Sequence, residues 1–342
     1  MGAQMIDFRS DTLTKPTQGM LESMIRAEVG DDVFGEDPTV LRLEKMMANI
    51  FGMEAGLFCP SGTMANQIAL SVHTRPGDEV LCAQGSHIYN YEGGGPAANA
   101  GLTVQLISGD RGRISADQIK AHVKPDNPHY PHTALVSLEN TCNRGGGSVY
   151  DRPTLKEISE CCHQMNLPLH LDGARIFNAL ATDPGYSAKD IGKWFSSVSV
   201  CLSKGLGAPI GTVLLGDASF IKQALRVRKR WGGGMRQAGY MAAAGIYALE
   251  HHIERITEDH RRAKGLADVL KMASFTSEVT LPQTNIIVVR IKAEKSQEEV
   301  LKSLENSGIK AIGFGEGLIR FVTHLDISES DYKQAVEVFS GL

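Results

Sequence analysis

The chain has 342 residues, 42% of them apolar and 22% charged, with a formal net charge of −4 at pH 7. That composition suits a globular protein with a large core and room for two domains, and gives no general pull toward nucleic acid or an anionic membrane. No apolar run approaches the roughly 18–20 residues needed to span a bilayer, and the start, Met1-Gly2-Ala3-Gln4-Met5-Ile6-Asp7, lacks the basic and apolar regions of a signal peptide.

The first dozen residues read as an arm, packing on the large domain or on a neighbouring molecule. Ala55 to Cys59 then reads as a strand, and Ser61-Gly62-Thr63 opens a helix through Ser71. A strand end, a glycine and hydroxyls at a helix start form a candidate phosphate site, because backbone N–H groups there lack partners. A plain serine cap reads equally well, and no Gly-Lys-Ser/Thr follows to make a P-loop. Strand Glu79 to Cys82 leads to Ser86-His87-Ile88-Tyr89-Asn90-Tyr91-Glu92-Gly93-Gly94-Gly95. His87 is either a solvated loop residue or a ring that stacks on a planar cofactor and moves protons near neutral pH. Glu92 could orient it or cap. His129 sits in a Pro-rich loop and is either surface or a second imidazole near substrate.

Strands follow at Thr103 to Ile107 and Ala134 to Leu138, with a capping box Ser115 to Gln118 between them. Asn140 and Thr141, after the second strand, face the same crevice. A helix Pro153 to Asn166 precedes strand Leu167 to Leu171, which ends in Asp172-Gly173-Ala174-Arg175. Strand Ser197 to Leu202 ends in Ser203-Lys204-Gly205-Leu206-Gly207, and Thr212 to Leu215 completes the sheet. Such apolar strands alternating with helices imply a largely parallel sheet covered on both faces. Ligands bind at the carboxyl ends of strands in such sheets. A strand-end aspartate and a strand-end lysine there match the demands of pyridoxal 5'-phosphate (PLP): the amine links to the aldehyde and the carboxylate holds the ring nitrogen's proton. Small, apolar neighbours desolvate Lys204, which favours its nucleophilic form. Arg175, three residues beyond Asp172, could hold a carboxylate through two bonds.

Lys229 to Gln237 is basic and glycine-rich, reading as a phosphate-binding loop that reaches another subunit or as a solvated loop. Met241 to about Met272 reads as one long helix. Strand Asn285 to Ile291, a helix capped by Ser296 and Glu299, strand Leu318 to Thr323 and a helix Ser328 to Phe339 form a compact α+β unit. Arg320, on an apolar strand, needs an anionic partner, which a substrate carboxylate would supply. The division expected is 1–245 for a large domain with its arm and 246–342 for a small one. The six cysteines (59, 82, 142, 161, 162, 201) are scattered without a C-x-x-C pair, which points to free thiols, a reducing compartment and the cytoplasm. His251-His252 and Cys161-Cys162-His163 are adjacent residues and not metal-ligand spacings, so no metal is expected.

The ordered set resembles the L-threonine aldolase family. It comprises Arg9-Ser10-Asp11-Thr12, Gly30 to Pro38, Pro60 to Asn66, the Ser86 to Gly95 loop, Leu138 to Thr141, His170 to Arg175, Leu202 to Pro209, Gly232 to Gln237 and Val322 to Leu325. The resemblance implies the aspartate aminotransferase fold, that is, fold type I of the PLP-dependent transferase-like enzymes. It implies aldol cleavage of L-threonine or L-allo-threonine to glycine and acetaldehyde. Lys204 would be the Schiff-base lysine, Asp172 the pyridinium partner and His87 the stacking histidine. Ser61, Gly62 and Thr63 match the phosphate cradle, and Ser10, Arg175 and Arg320 the substrate-carboxylate contacts. Lys229 and Arg236 match residues contributed by a neighbouring subunit, so a homodimer would be the minimum and a tetramer usual. His129 matches a second histidine near the substrate hydroxyl. Phe34 stands where the family often has tyrosine, which bears on diastereomer preference. Other PLP chemistry on this fold, β-elimination or hydroxymethyl transfer, is the nearest alternative.

Overall fold

The computed structural model describes residues 5–342. A seven-stranded sheet forms its centre. From edge to edge the strands are Ala55–Cys59, Thr212–Gly216, Ser197–Cys201, Leu169–Asp172, Thr133–Glu139, Glu79–Ala83 and Thr103–Ile107. Thr212–Gly216 runs antiparallel to both of its neighbours, and the remaining pairings are parallel. All residues of the central strands Thr133–Glu139, Leu169–Asp172 and Ser197–Cys201 are buried, as near-continuous apolar runs require when helices cover both faces. The strands anticipated from sequence appear with ends moved by a residue or two.

Several helices go unplaced in the sequence reading, among them Pro38–Phe51 and Ala218–Arg230. The first carried its own signals: Asp37 caps it by accepting from Thr39 and Val40 N–H, proline opens it, and Gly52 ends it at φ 64°.

The expected single helix over 241–272 is instead two, Gly239–His251 and Ile256–Leu270. The break lies where His252 turns inward and its Nδ1 meets the Leu206 carbonyl at 2.7 Å. The halves also serve different cores. Ala242, Ile246 and Leu249 pack with Leu43 and Phe51 under the large sheet, whereas Ala263, Leu266 and Leu270 join the C-terminal core. That C-terminal unit is built on an antiparallel sheet in the order Ile312–Gly313, Leu318–Val322, Ile286–Ile291, Thr276–Thr280.

The N-terminal arm meets the large domain through Asp11 and Arg175, but its apolar residues pack on the C-terminal unit. Ile6–Asp7 pairs in parallel with Ile309–Lys310, and Phe8 lies against Phe321 and Phe339 in the C-terminal core. Burying Ile6 and Phe8 draws the arm there and carries the next residues across the cleft between the two cores. Among the described residues no helix is long and apolar enough to cross a membrane, and the six cysteines are buried and unpaired.

Candidate active site

The carboxyl ends of the central strands converge on a cavity of about 260 Å³ lined by Ser61, Thr63, His87, Asp172, Ser203 and Lys204. A larger hollow of about 1140 Å³ lies at the opposite edge, beside His73, Asp78 and Lys124, and holds none of these strand-end residues.

Parallel pairing aligns Glu139 with Asp172 and Asp172 with Ser199, so two strand ends are level and the third strand runs two residues further, to Cys201. Asp172 is 3% exposed; its Oδ1 accepts from Ala174 N–H at 3.1 Å, and its Oδ2 accepts from Asn66 Nδ2 at 2.9 Å. It therefore caps the following turn and also presents a fixed carboxylate. Lys204 leaves the next strand end, with Nζ 3.7 Å from Cys201 Sγ and its carbonyl held by Thr14 Oγ1 at 3.0 Å. Gly62 is required where the helix start meets this strand, because a Cβ there would lie 2.8 Å from Cys201 Sγ. Ser61 caps helix Gly62–His73 by accepting from Met64 N–H at 3.2 Å.

His87 opens a short helix and is anchored twice. Its N–H donates to Glu139 Oε2 at 2.8 Å, and its Nδ1 lies 2.9 Å from Glu92 Oε1. Burial works to lower its pKa, but the Glu92 hydrogen bond and the Asp172 charge outweigh it and raise the imidazole. Glu92 is thus more than a cap: it also receives Asn66 Nδ2 at 2.8 Å and Gln67 Nε2 at 2.5 Å. His87, Glu92 and Asp172 each bring one polar atom within 4.8 Å of the others. Burial, with the Asp172 charge, pushes the Glu139 carboxyl up to about 7.

The arm and the C-terminal sheet supply the other side. Arg175 does not hold an open fork toward the cleft. Its Nε and Nη2 donate to Asp11 Oδ2 and Oδ1 at 2.8 and 2.7 Å, and both residues are buried. Burial alone would raise the Asp11 carboxyl; the Arg175 guanidinium overrides it and holds the group well below the carboxylate range. Arg320 donates to Asn143 Oδ1 at 2.8 Å and to the Arg9 carbonyl at 3.0 Å, leaving Nε without a partner. Burial and the nearby Arg175 charge lower its pKa to about 10. Ser10 lies between these arginine contacts in sequence, its Oγ accepting from Thr12 N–H at 3.2 Å. Sequence reasoning passed over Asp11, Asn143 and Asn66 as partners; Asp11 and Asn66 stand inside quoted motifs, but only the fold reveals what each of the three touches.

Ser10, Arg175 and Arg320 stand outside the lining of this cavity, and so do three further candidates. His129 is exposed on the loop before Thr133–Glu139. Seven residues at about 3.3 Å each put that loop roughly 20 Å from the strand's carboxyl end. Lys229 ends helix Ala218–Arg230, and Arg236 pairs with Asp31 Oδ2 at 2.9 Å, with Phe34 beside it, 73% exposed, its ring 5.8 Å from the guanidinium. Both lie outside the residues lining the cavity.

An α/β layer with one antiparallel strand and ligand groups at the strand ends defines a PLP-dependent enzyme fold of type I. Threonine aldolase from Leishmania major superposes with a TM-score of 0.85 at 20% identity, covering 98% of this chain and 99% of that one. Residues 7–294 match the β-eliminating lyase family. The low-specificity L-threonine aldolase of Escherichia coli is 44% identical over 95% of each chain. Low-specificity L-threonine aldolase 1 of Arabidopsis thaliana is 39% identical over 99% of this chain and 96% of its own. This chain belongs to the threonine aldolase family, a group of lyases.

Proposed function

We propose that this protein cleaves L-threonine and L-allo-threonine to glycine and acetaldehyde with PLP as cofactor. The observation that carries the reading is the convergence of Asp172, Lys204 and His87 on one cavity, with the buried Arg175 and the half-buried Arg320 across the cleft.

The donor set fits PLP. A fixed carboxylate faces one end, a lysine amine the middle, and hydroxyls with free N–H groups at the start of a 12-residue helix the other. Bound there, PLP supplies an electron sink conjugated to the amino acid's α-carbon. Lys204 would hold the aldehyde carbon, and Asp172 would keep the ring nitrogen protonated. Ser61, Gly62 and Thr63 would take the phosphate, and His87 would face the ring. Ser10, the Nη1 of Arg175 and Arg320 would bind the substrate carboxylate, turning the Cα–Cβ bond toward the sink. Because Glu92 engages His87 Nδ1, Nε2 is the atom placed to take the β-hydroxyl proton, a contribution of roughly 10²–10⁴-fold. Within one chain His87 is the histidine so placed; His129 would have to come from another copy.

A neighbouring copy would also supply Lys229 and Arg236, making a homodimer the minimum active unit and a tetramer its doubling. Mixing inactive Lys204→Ala with inactive Arg236→Ala should restore turnover in hybrids, since one of their two sites is intact. Phe34, beside Arg236, lacks the phenol often found there and would tune the choice between diastereomers. The six unpaired thiols support a reducing compartment, the cytoplasm, as its location.

The deciding experiment measures acetaldehyde released from each L-diastereomer by the PLP-loaded protein, with serine plus a folate acceptor as the competing substrate. Acetaldehyde with the threonines, lost together with the cofactor's lysine-linked absorbance in Lys204→Ala, is the expected result. Faster consumption of serine, or a Lys204→Ala protein with an unchanged spectrum, would overturn it.

A further inference from the structure

A file of buried polar side chains runs through the large sheet, behind the residues that handle cofactor. At the cavity, Asn66 Nδ2 lies 2.9 Å from Asp172 Oδ2 and 2.8 Å from Glu92 Oε1. Asn66 Oδ1 lies 2.6 Å from Ser199 Oγ and 3.2 Å from His170 Nε2. His170 Nδ1 is 2.8 Å from Ser197 Oγ, which is 2.8 Å from His73 Nε2. His73 closes the file at the far end of its helix, stacked on Phe220. Apart from His73, every member is at most 7% exposed.

One arrangement of protons satisfies all of these contacts. Ionised carboxylates only accept, so Asn66 must turn its NH₂ toward Asp172 and Glu92, giving one hydrogen to each. The flipped amide would set its oxygen against two anions. Asn66 Oδ1 must then accept from Ser199 O–H and His170 Nε2–H. His170 Nδ1 in turn accepts from Ser197 O–H, whose oxygen accepts from His73 Nε2–H. Every donor along the file points toward the cavity. Burial keeps both rings neutral, with His170 pushed down to about 4 and His73 to about 3.

We propose that Asn66 is a positioning residue for both halves of the PLP chemistry, and that His170, Ser197 and His73 act through it. The inference rests on the PLP reading above. Asp172 and Glu92 are buried close together, beside a third carboxyl, Glu139. Two crowded carboxylates in low dielectric repel each other. The Asn66 amide opposes that by donating to each. It thereby fixes the Asp172 carboxylate where the ring nitrogen would lie and the Glu92 carboxylate on His87 Nδ1. One amide positions the partners of both the electron sink and the base, and His170, which touches neither cofactor nor substrate, fixes the amide's orientation.

The test uses the PLP-loaded protein and two readouts besides turnover: the PLP dissociation constant and the midpoint of the bound cofactor's absorbance change with pH. Asn66→Ala should weaken PLP binding roughly 10- to 100-fold, the range expected for lost buried hydrogen bonds to charged groups. It should also move the midpoint to lower pH. His170→Leu should move both in the same direction by less, and His170→Gln, which retains an N–H donor, should restore most of the loss. Ser197→Ala replaces His170→Leu if the latter fails to fold. Folded Asn66→Ala and His170→Leu proteins with wild-type constant and midpoint would overturn the proposal. So would equal losses in His170→Leu and His170→Gln, because shape and not donation would then be the cause. A wild-type chain that binds no PLP would instead overturn the proposed function.

Discussion

The two sides of the cleft are held together by different physics. The side of Asp172, Lys204 and His87 grows from the carboxyl ends of adjacent strands, and its fine geometry is set by hydrogen bonds within one sheet and its helix Gly62–His73. The side of Ser10, Arg175 and Arg320 is assembled from three separate places: the arm, the turn after Asp172, and the antiparallel C-terminal sheet. One charge pair, Asp11 with Arg175, and the Arg320 hydrogen bonds to Asn143 and the Arg9 carbonyl bridge those places. Under the proposed function, the side that would hold a rigid aromatic ring is built on rigid neighbours. The side that would meet a small charged substrate is built where two cores face each other and the arm crosses between them.

That contrast can be broken by variants on each side. Asp172→Asn keeps the shape but removes the charge; kcat should fall about 10²–10³-fold with little change in KM. A KM effect without a kcat effect would mean that the two sides are not separable. Asp11→Ala should instead cost stability, about 3–5 kcal/mol, because it strands a buried guanidinium. Urea denaturation measures it, and a loss below about 1 kcal/mol would show that Arg175 finds another partner. Arg320→Lys loses the planar fork, so KM should rise roughly tenfold while kcat stays within a few-fold.

Acid sensitivity sharpens the comparison further. His170 titrates near 4 in the fold and near its ordinary 6.5 when unfolded. As pH falls through that window the unfolded chain binds the proton first, so the stability His170 contributes is lost between about 6.5 and 4. Glu139 and Glu44, both pushed up to about 7 by burial, act in the opposite direction above about 4.5. His170→Gln should therefore flatten the pH dependence of folding stability by up to about 1.4 kcal/mol per pH unit in that window. An unchanged slope would show that His170 titrates normally in the fold. The smallest effect is expected at Arg236→Ala. Its pair with Asp31 is exposed, so stability should change by less than about 1 kcal/mol. Turnover should nonetheless collapse if a neighbouring copy uses that arginine.

Particular residues show how far sequence reading reached. Asp172 and Lys204 were legible because each ends an apolar run, and a strand end in a parallel sheet is a ligand-facing position whatever surrounds it. His87 was legible as a candidate from its loop, but its acid–base poise was not, because Glu92 and Glu139 approach it from the side. Arg175 was legible as a carboxylate binder, yet the carboxylate it meets belongs to Asp11, 164 positions away. The long helix was misread as continuous because its composition stays favourable across His252. The break comes from a tertiary bond to Leu206.

Hydrophobic periodicity, strand ends and caps act over a few residues, so they can be read along the chain. They were enough for the alternating α/β layout, for the lysine–aspartate pair and, through the ordered motifs, for the family. Partnerships between buried polar groups depend on which distant segments become neighbours. The joining of the arm to the C-terminal core, the claim of Asp11 on Arg175 and the file from His73 to Asp172 were therefore decided only when the sheets closed over them. In low dielectric a polar group must find whatever partner the packing brings within reach.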